Sequence, residues 1–205
     1  MISQLRTGQQ VEAKYARVLK NLLWVNLGLL VVVQILSFMV RDAEEVTPLI
    51  QFVLAMIVPL LLLSIGTGIV WLMWTYRVYD NLRRVGSRQT AMTPGWAVGW
   101  WFVPIANLWM PYKIMREISA RSEISNDYEL LNGSPIGIVE WWALFVISNF
   151  VGRLSARSEN LPLELISFAL DLTYYLYAIK VVRGVSALQQ TMRNPTPVQA
   201  NLAQL

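Results

Sequence analysis

The stretch that decides the fold is Thr93 to Glu117, TPGWAVGWWFVPIANLWMPYKIMRE. It is as apolar as a membrane-spanning helix, yet it contains Pro94, Pro104 and Pro111. Proline inside a helix removes a backbone hydrogen bond and kinks or breaks the helix, so this segment does not form one ordinary spanning helix. Broken backbone at membrane depth is tolerated only where it is buried in protein or lines a wet cavity. We therefore expect the segment to form the core of a helical bundle.

Composition predicts that the chain is an integral membrane protein. Of its 205 residues, 55% are hydrophobic and only 15% are charged, whereas soluble domains carry about 25% charged residues. The chain has neither Cys nor His, which excludes disulfides, thiolate or imidazole metal sites and imidazole bases. We expect no metal, no cofactor and no enzymatic activity. The net charge of +4 indicates basic loops beside anionic lipid, and we expect no nucleic-acid partner.

Uncharged runs predict where the chain enters the bilayer, because a spanning helix needs about 20 apolar residues. Residues 1–20 are polar with helical spacing and predict a cytoplasmic juxtamembrane helix. Residues 21–183 are predicted to form a single polytopic membrane domain, and the polar tail 184–205 is predicted to be disordered. The predicted membrane segments are 21–40, 48–76, 95–110, 135–152 and 161–182.

The distribution of Lys and Arg decides how segment 95–110 meets the bilayer, because basic loops stay in the cytoplasm. If the segment enters and returns on one face, fourteen Lys and Arg residues lie inside and three outside. If it crosses, the split is ten inside and seven outside. We therefore predict an all-α integral membrane protein with four transmembrane helices and a Pro-broken, Trp-rich re-entrant segment. Five transmembrane helices are the alternative.

Three stretches of the chain resemble a known family. They are WLMWTYRVYDNLRRVG from Trp71, TPGWAVGWWFVPIANLWMPYKIMREIS from Thr93 and VEWWALFVISNFVGRL from Val139. So long a string of Trp, Pro and Asn in fixed order rarely arises by chance, and it resembles the bacterial membrane family DUF4328, a domain of unknown function. The resemblance covers Val70 to Val182. Its motif core falls on Trp96, Gly99, Trp100, Trp101, Pro104, Asn107 and Pro111.

The resemblance implies a class of protein and a location, but no biochemical activity. It implies a multi-pass protein of a bacterial inner membrane. With the charge distribution above, the N-terminus is expected in the cytoplasm, and the re-entrant alternative puts the C-terminus there too.

Polar side chains inside the predicted spans are the candidates for chemistry. Asp171 falls near the middle of the last span, where a carboxyl group is costly unless it is paired, protonated or exposed to a cavity. Glu140 lies near the start of the preceding span, and the two carboxyls form a proton relay or cation site if the fold brings them together. Alternatively, Asp171 locks the bundle through a hydrogen bond to Asn107, Asn149 or a Tyr hydroxyl.

Basic residues flank the re-entrant segment on both sides. Arg77, Arg83 and Arg84 precede it, and Lys113 and Arg116 follow it. Basic residues at the end of a span anchor to anionic lipid headgroups, or they recognise a phosphorylated headgroup in a pocket.

Two further elements are predicted to lie at the membrane surface. Trp71, Trp74 and Tyr76 come just before Arg77 and predict an aromatic belt where the second span leaves the bilayer. Residues 111–124 read as a helix with proline in its first turn, and we expect it to lie on the cytoplasmic face of the bilayer.

Two hypotheses of function follow from these features. The first is a non-enzymatic membrane protein that acts through contacts with lipid, including anionic headgroups, with a second copy of the chain or with another membrane protein. The alternative is a small oligomeric transporter or channel-like module that uses the intramembrane carboxyls Asp171 and Glu140. An intramembrane enzyme is less well supported, because no paired-carboxylate or Ser-Lys motif stands out.

Overall fold

A computed structural model describes residues 2–41, 48–84, 90–124, 137–158 and 160–191. Every regular element within them is helical, which confirms the predicted all-helical fold. The elements are α1 (Ile2–Met39), α2 (Pro48–Arg84), α3 (Pro94–Gly99), α4 (Met110–Ile124), α5 (Ile138–Ser155) and α6 (Leu161–Thr191), with 3-10 turns at Trp100–Phe102 and Ala106–Leu108.

Helices α1, α2 and α6 are long and apolar enough to cross a membrane. Helix α2 has 37 residues, about 55 Å at helical rise, and exceeds the roughly 30 Å of a bilayer core. Large apolar side chains on α1 and α2 face outward, and Phe38, Phe52 and Leu62 are 57%, 53% and 63% exposed. An apolar surface this continuous is stable only in apolar surroundings, as expected for a membrane protein.

The core is concentrated at one end of the bundle, which we call the packed end. It is formed by residues 9–23 of α1, 71–82 of α2 and 178–189 of α6, together with α4 and the first turn of α5. Its largest buried side chains include Trp74, Tyr79 and Trp141, each at most 1% exposed. Aromatic side chains bury more area than any other type, so they dominate the packing energy here.

Buried polar side chains tie α1 to α2 and α6 at the packed end. Glu12 is fully buried, and its Oε1 accepts hydrogen bonds from Trp74 Nε1 at 2.9 Å and from Ser186 Oγ at 3.0 Å. Gln9 Nε2 donates to the backbone carbonyl of Gln189 at 3.0 Å, across a sequence separation of 180 residues. These bonds fix the first and last described helices to each other.

The end of α6 differs from the predicted tail. The prediction of disorder from residue 184 is wrong for residues 184–191, which remain helical. Val185 and Gln189 are buried four residues apart, so the same face of α6 stays in the core. Gln189 also accepts a hydrogen bond from Asn81 Nδ2 at 3.3 Å and donates one to Ser122 Oγ at 3.1 Å. The remainder of the predicted tail, 192–205, lies outside the described residues.

Each of the other predicted helical segments corresponds to one helix of the structure or to part of one. The predicted juxtamembrane helix and first span form one continuous helix, α1. The predicted spans 48–76 and 161–182 lie within α2 and α6. Helix α5 begins at Ile138 and ends at Ser155, whereas the predicted segment was 135–152; residues 135 and 136 lie outside the described residues.

The predicted aromatic belt is only partly present. Trp71 and Trp74 are buried in the protein, and Tyr76 alone of the three is exposed. The periodicity of α2 explains the difference, because positions 71, 74 and 78 share the face that packs on neighbouring helices.

Helix α4 also differs from its prediction. Ile114, Met115 and Ile118 have no exposed surface and pack into the protein core. The apolar side of α4 is therefore buried against α2, α5 and α6 instead of against lipid. This arrangement makes α4 an integral part of the packed end.

The Glu12 hydrogen bonds generate a first prediction. We expect Trp74→Phe to lower the free energy of unfolding by about 1–2 kcal/mol more than Trp71→Phe, because only the former removes a donor from a buried carboxyl. Trp71 is a matched control, since it is a buried Trp of the same helix whose Nε1 has no hydrogen-bond partner among the described residues. Unfolding in detergent micelles measures both, and equal losses would contradict the prediction.

Candidate functional site

The Trp- and Pro-rich segment, residues 93–117, folds as α3, two short 3-10 turns and the first half of α4. Thr93 caps α3, and its Oγ1 accepts a hydrogen bond from Trp96 N at 3.4 Å. Val103 then leaves the helical region, with φ −90° and ψ 109°. The cause is Pro104, whose ring disfavours helical geometry in the preceding residue. A second 3-10 turn leads into α4, so the predicted break at Pro104 is present.

The two ends of this segment meet at the packed end. The Glu117 carboxylate accepts hydrogen bonds from Tyr79 Oη at 2.8 Å and from Ala91 N at 2.8 Å. Met92 N donates in turn to Tyr79 Oη at 3.2 Å. Arg121 Nε, also on α4, donates to the same carboxylate at 2.7 Å. The entry and exit of the segment are therefore held at one point on α2.

Between these ends, the segment packs against α2 and α5 through Trp101. The Trp101 ring lies 6.3 Å from that of Trp71 and 6.2 Å from that of Trp142. Trp142 Nε1 donates to the backbone carbonyl of Leu108 at 3.0 Å. This bond satisfies a backbone acceptor in the turn that follows the break at Pro104. Phe102, next to Trp101, is 71% exposed and points outward.

A cluster of indole rings forms the centre of the contact. Trp71 stacks on Trp141 of α5 with ring centroids 5.1 Å apart, and it meets Trp74 edge-on at 5.5 Å. The Nε1 atoms of Trp71 and Trp101 are buried without a hydrogen-bond partner among the described residues. The edge-to-face contacts of these rings with their neighbours stabilise the cluster in addition to the area that the rings bury.

Beside this cluster lies a cavity of about 350 Å³, which we call the aromatic cavity. This volume lies within the range of about 300–1,000 Å³ typical of small-molecule sites. None of the described residues that line it is charged. Its aromatic walls are Trp71, Trp101, Phe102, Trp141, Phe145, Tyr174 and Tyr175, and its other walls include Leu23, Asn26, Ser64, Thr67 and Gly68.

One wall of the aromatic cavity is polar. Asn26 Nδ2 donates to Thr67 Oγ1 at 2.9 Å, and Ser64 Oγ donates to Asn26 Oδ1 at 3.3 Å. Thr67 Oγ1 donates to the carbonyl of Leu63 at 2.8 Å. Both hydroxyl protons are thus used, and the hydroxyl oxygens retain capacity as acceptors. Sequence reasoning missed Thr67, although it shares a helix face with Ser64 in an otherwise apolar run.

The structure does not bring the two candidate carboxyls together. Asp171 is half-buried and lies close to Ser148 of α5, whose Oγ donates to the carbonyl of Phe145 at 3.4 Å. Glu140 is exposed in the first turn of α5, eight residues before Ser148. Eight residues correspond to about 12 Å along a helix, which is beyond direct hydrogen-bonding reach.

The two candidate amides also lie apart from Asp171 in the described hydrogen bonds. Asn149 is exposed, and its Nδ2 donates to the carbonyl of Phe145 in its own helix at 2.8 Å. Asn107 is partly buried in the second 3-10 turn, and its Oδ1 has no hydrogen-bond partner among the described residues. The hydrogen bond expected between Asp171 and Asn107 or Asn149 is therefore absent among the described residues.

The basic residues fall on different surfaces. Arg77 lies near the Tyr76 ring, 5.9 Å from its centroid, and Arg84 forms a salt bridge with Asp80 at 2.8 Å. Arg77 and Arg84 line a second, smaller cleft, whereas Arg83 is exposed outside it. The remaining two candidates, Lys113 and Arg116, are exposed on α4 and do not line that cleft.

A comparison with known protein families identifies the family of this chain. Residues 42–191 match the family model described as domain of unknown function (DUF4328). The chain belongs to the DUF4328 family. The match includes the Trp- and Pro-rich segment and confirms the predicted resemblance. No curated protein and no solved structure matches the chain.

In this DUF4328 chain the remaining motif residues have structural positions. Trp96 and Trp100 are in contact, with ring centroids 5.3 Å apart. A Cβ atom added at Gly99 would meet the Trp96 ring at 3.5 Å, an ordinary contact distance. Pro104 is exposed at the break, and Pro111 is buried in the first turn of α4. The motif therefore shapes the segment and packs its two ends.

The Tyr79 and Glu117 hydrogen bonds generate a second prediction. We expect Tyr79→Phe to raise amide hydrogen exchange at residues 90–93, because Ala91 and Met92 lose part of their anchoring to α2. The expected loss of stability is about 1 kcal/mol. Tyr76→Phe is the matched control, since Tyr76 is exposed three residues earlier on the same helix. Unchanged exchange at 90–93 in Tyr79→Phe would contradict the prediction.

Proposed function

We propose that this DUF4328 protein is a multi-pass membrane protein without enzymatic activity that binds a neutral amphipathic lipid in the aromatic cavity. The cavity is the observation that carries the proposal. It is walled by residues of α1, α2, α5 and α6 that belong to the predicted spans, together with Trp101 and Phe102. A lipid therefore reaches it from within the bilayer.

The chemistry of the cavity supports a neutral lipid as the occupant. Its aromatic and aliphatic walls suit an acyl chain, and the absence of a charged lining residue disfavours an ionic headgroup. Phe102, exposed on the rim, is continuous with the outer apolar surface. The hydroxyl oxygens of Ser64 and Thr67 accept a hydrogen bond from a hydroxyl group of the ligand. A diacylglycerol-like molecule has both parts.

We also propose four membrane crossings with one re-entrant segment, and both chain ends in the cytoplasm of a bacterial cell. Helix α5, with 18 residues, supplies the fourth crossing. The re-entrant path is supported by the hydrogen bonds that hold Ala91, Met92 and Glu117 at one point on α2. The packed end, which contains the starts of α1 and α4 and the end of α6, faces the cytoplasm in this arrangement.

Protein partners are a further part of the proposal. Trp96 and Trp109 of the Trp- and Pro-rich segment are exposed and apolar, which suits contact with lipid, with a second copy of the chain or with another membrane protein. The transporter alternative has less support, because Asp171 and Glu140 lie apart and no second carboxyl joins Asp171 in the described hydrogen bonds.

A glycine pair on α2 allows a sharp test of the aromatic cavity. A Cβ atom at Gly66 or at Gly68 meets no atom within 4 Å, so both positions accept a larger side chain, but only Gly68 lines the cavity. We expect Gly68→Leu to reduce crosslinking to a diazirine-bearing diacylglycerol several-fold in native membranes. We expect Gly66→Leu to crosslink like the wild type. An uncrosslinked wild type, or equal yields from both variants, would reject lipid binding in this cavity.

Topology is tested separately with single cysteines, since the natural chain has none. We expect a membrane-impermeant maleimide to label Ser158→Cys in spheroplasts, whose inner membrane is intact. Asn132→Cys should react only after lysis, because it follows the re-entrant segment on the cytoplasmic side. Labelling of Asn132→Cys in intact spheroplasts would replace the four-crossing topology with five crossings.

A further inference from the structure

The second cleft lies at the packed end between the start of α1 and the end of α2. It has a volume of about 230 Å³ and is walled by Thr7, Gly8 and Val11 on α1 and by Arg77, Asp80, Asn81 and Arg84 on α2. The α2 residues follow the spacing i, i+3, i+4 and i+7, so one face of that helix places two arginines along the same cleft.

The helices approach closely here because position 8 is glycine. A Cβ atom at Gly8 would lie only 2.5 Å from Asn81 Oδ1, which is too short for any real contact. Asn81 is itself held, since its Nδ2 donates to Gln189. The floor of the cleft is therefore fixed by packing between buried groups.

The two arginines are placed differently within the cleft. Asp80 Oδ2 accepts from both Nε and Nη2 of Arg84 at 2.8 Å, which orients the guanidinium and leaves Nη1 outside this pair. Arg77 lies on the same wall of the cleft, two helical turns before Arg84 along α2. Two guanidinium groups and one carboxylate give the cleft a net charge of +1, which complements a monoanion.

The position of the cleft along α2, at the end of the uncharged run, indicates the chemistry of that anion. Arg77 directly follows the 29 uncharged residues 48–76, so it lies where a spanning helix leaves the hydrocarbon and meets the headgroups. Arginine is the side chain best suited to phosphate, because its planar N–H groups match phosphate oxygens. A phosphodiester carries a single negative charge, equal and opposite to that of the cleft.

We propose that this cleft binds the phosphodiester group of a phosphorylated ligand, with Arg77 and Arg84 as its cationic donors. A bilayer phospholipid supplies such a group at this depth, and a soluble phosphate compound supplies similar chemistry from the cytoplasm. The site is distinct from the aromatic cavity, which no charged residue lines. The proposal depends on the cleft itself and not on the occupant of that cavity.

The test compares lipid binding by charge-matched variants of the full chain in detergent. We expect Arg77→Gln and Arg84→Gln each to weaken binding of short-chain phosphatidylglycerol about tenfold, as follows from losing a charged hydrogen bond. Arg83→Gln removes the same charge from the same helix end but outside the cleft, so we expect less than about a twofold change. Native mass spectrometry across a lipid titration gives the affinities.

Two comparisons make the result decisive. Inorganic phosphate that competes at concentrations similar to the lipid would support phosphate binding and assign a soluble source, whereas a strong preference for phosphatidylglycerol would assign the lipid. Equal weakening by Arg83→Gln, Arg77→Gln and Arg84→Gln would overturn the site, because it would show diffuse attraction to basic charge. Thermal unfolding of each variant establishes folding, and Arg77→Lys, which retains the charge, should fall between wild type and Arg77→Gln.

Discussion

The position of the Trp- and Pro-rich segment depends on the stacked contact between Trp71 of α2 and Trp141 of α5. The two rings lie 5.1 Å apart and together form a surface for Trp101, the inward residue of the Trp- and Pro-rich segment. That segment cannot pair all its own backbone groups, because a proline breaks it in the middle. Its path is stable at membrane depth only where protein covers it.

The same contact explains where the aromatic cavity forms. Below it, toward the packed end, α2 presents large residues that fill the space between helices, including Trp74, Val78 and Leu82. Above it, α2 presents the small residues Ser64 and Gly68, and the helices leave a space. The cavity thus marks the change from a close-packed core to an exposed apolar surface, because side-chain volume falls at that level.

Local signals in the sequence predicted much of the fold. Long helices follow from uncharged runs, and the break at Pro104 follows from the chemistry of proline, so both were predictable from a few neighbouring residues. The hydrogen bond of Gln9 to the carbonyl of Gln189 was not, since 180 residues separate the partners. Trp71 was assigned to a membrane interface because aromatic residues near the end of a span are common there. The ring is buried because Trp141 of α5 packs on it. The residues near Trp71 in the sequence do not reveal where α5 lies, and therefore they do not reveal the aromatic cavity that α5 helps to form.

Asp171 illustrates how packing changes the interpretation of a polar residue. An isolated carboxyl in a span indicates function by default, but a relay needs a second group within hydrogen-bonding reach. Asp171 lies close to Ser148, and between Ser148 and Glu140 on α5 stand the rings of Trp141, Trp142 and Phe145. Phenyl and indole rings have no group that can both accept and release a proton at neutral pH, so they cannot pass a proton between the two carboxyls. The arrangement therefore favours a packing role for Asp171 between α6 and α5, and it gives the two carboxyls no shared site.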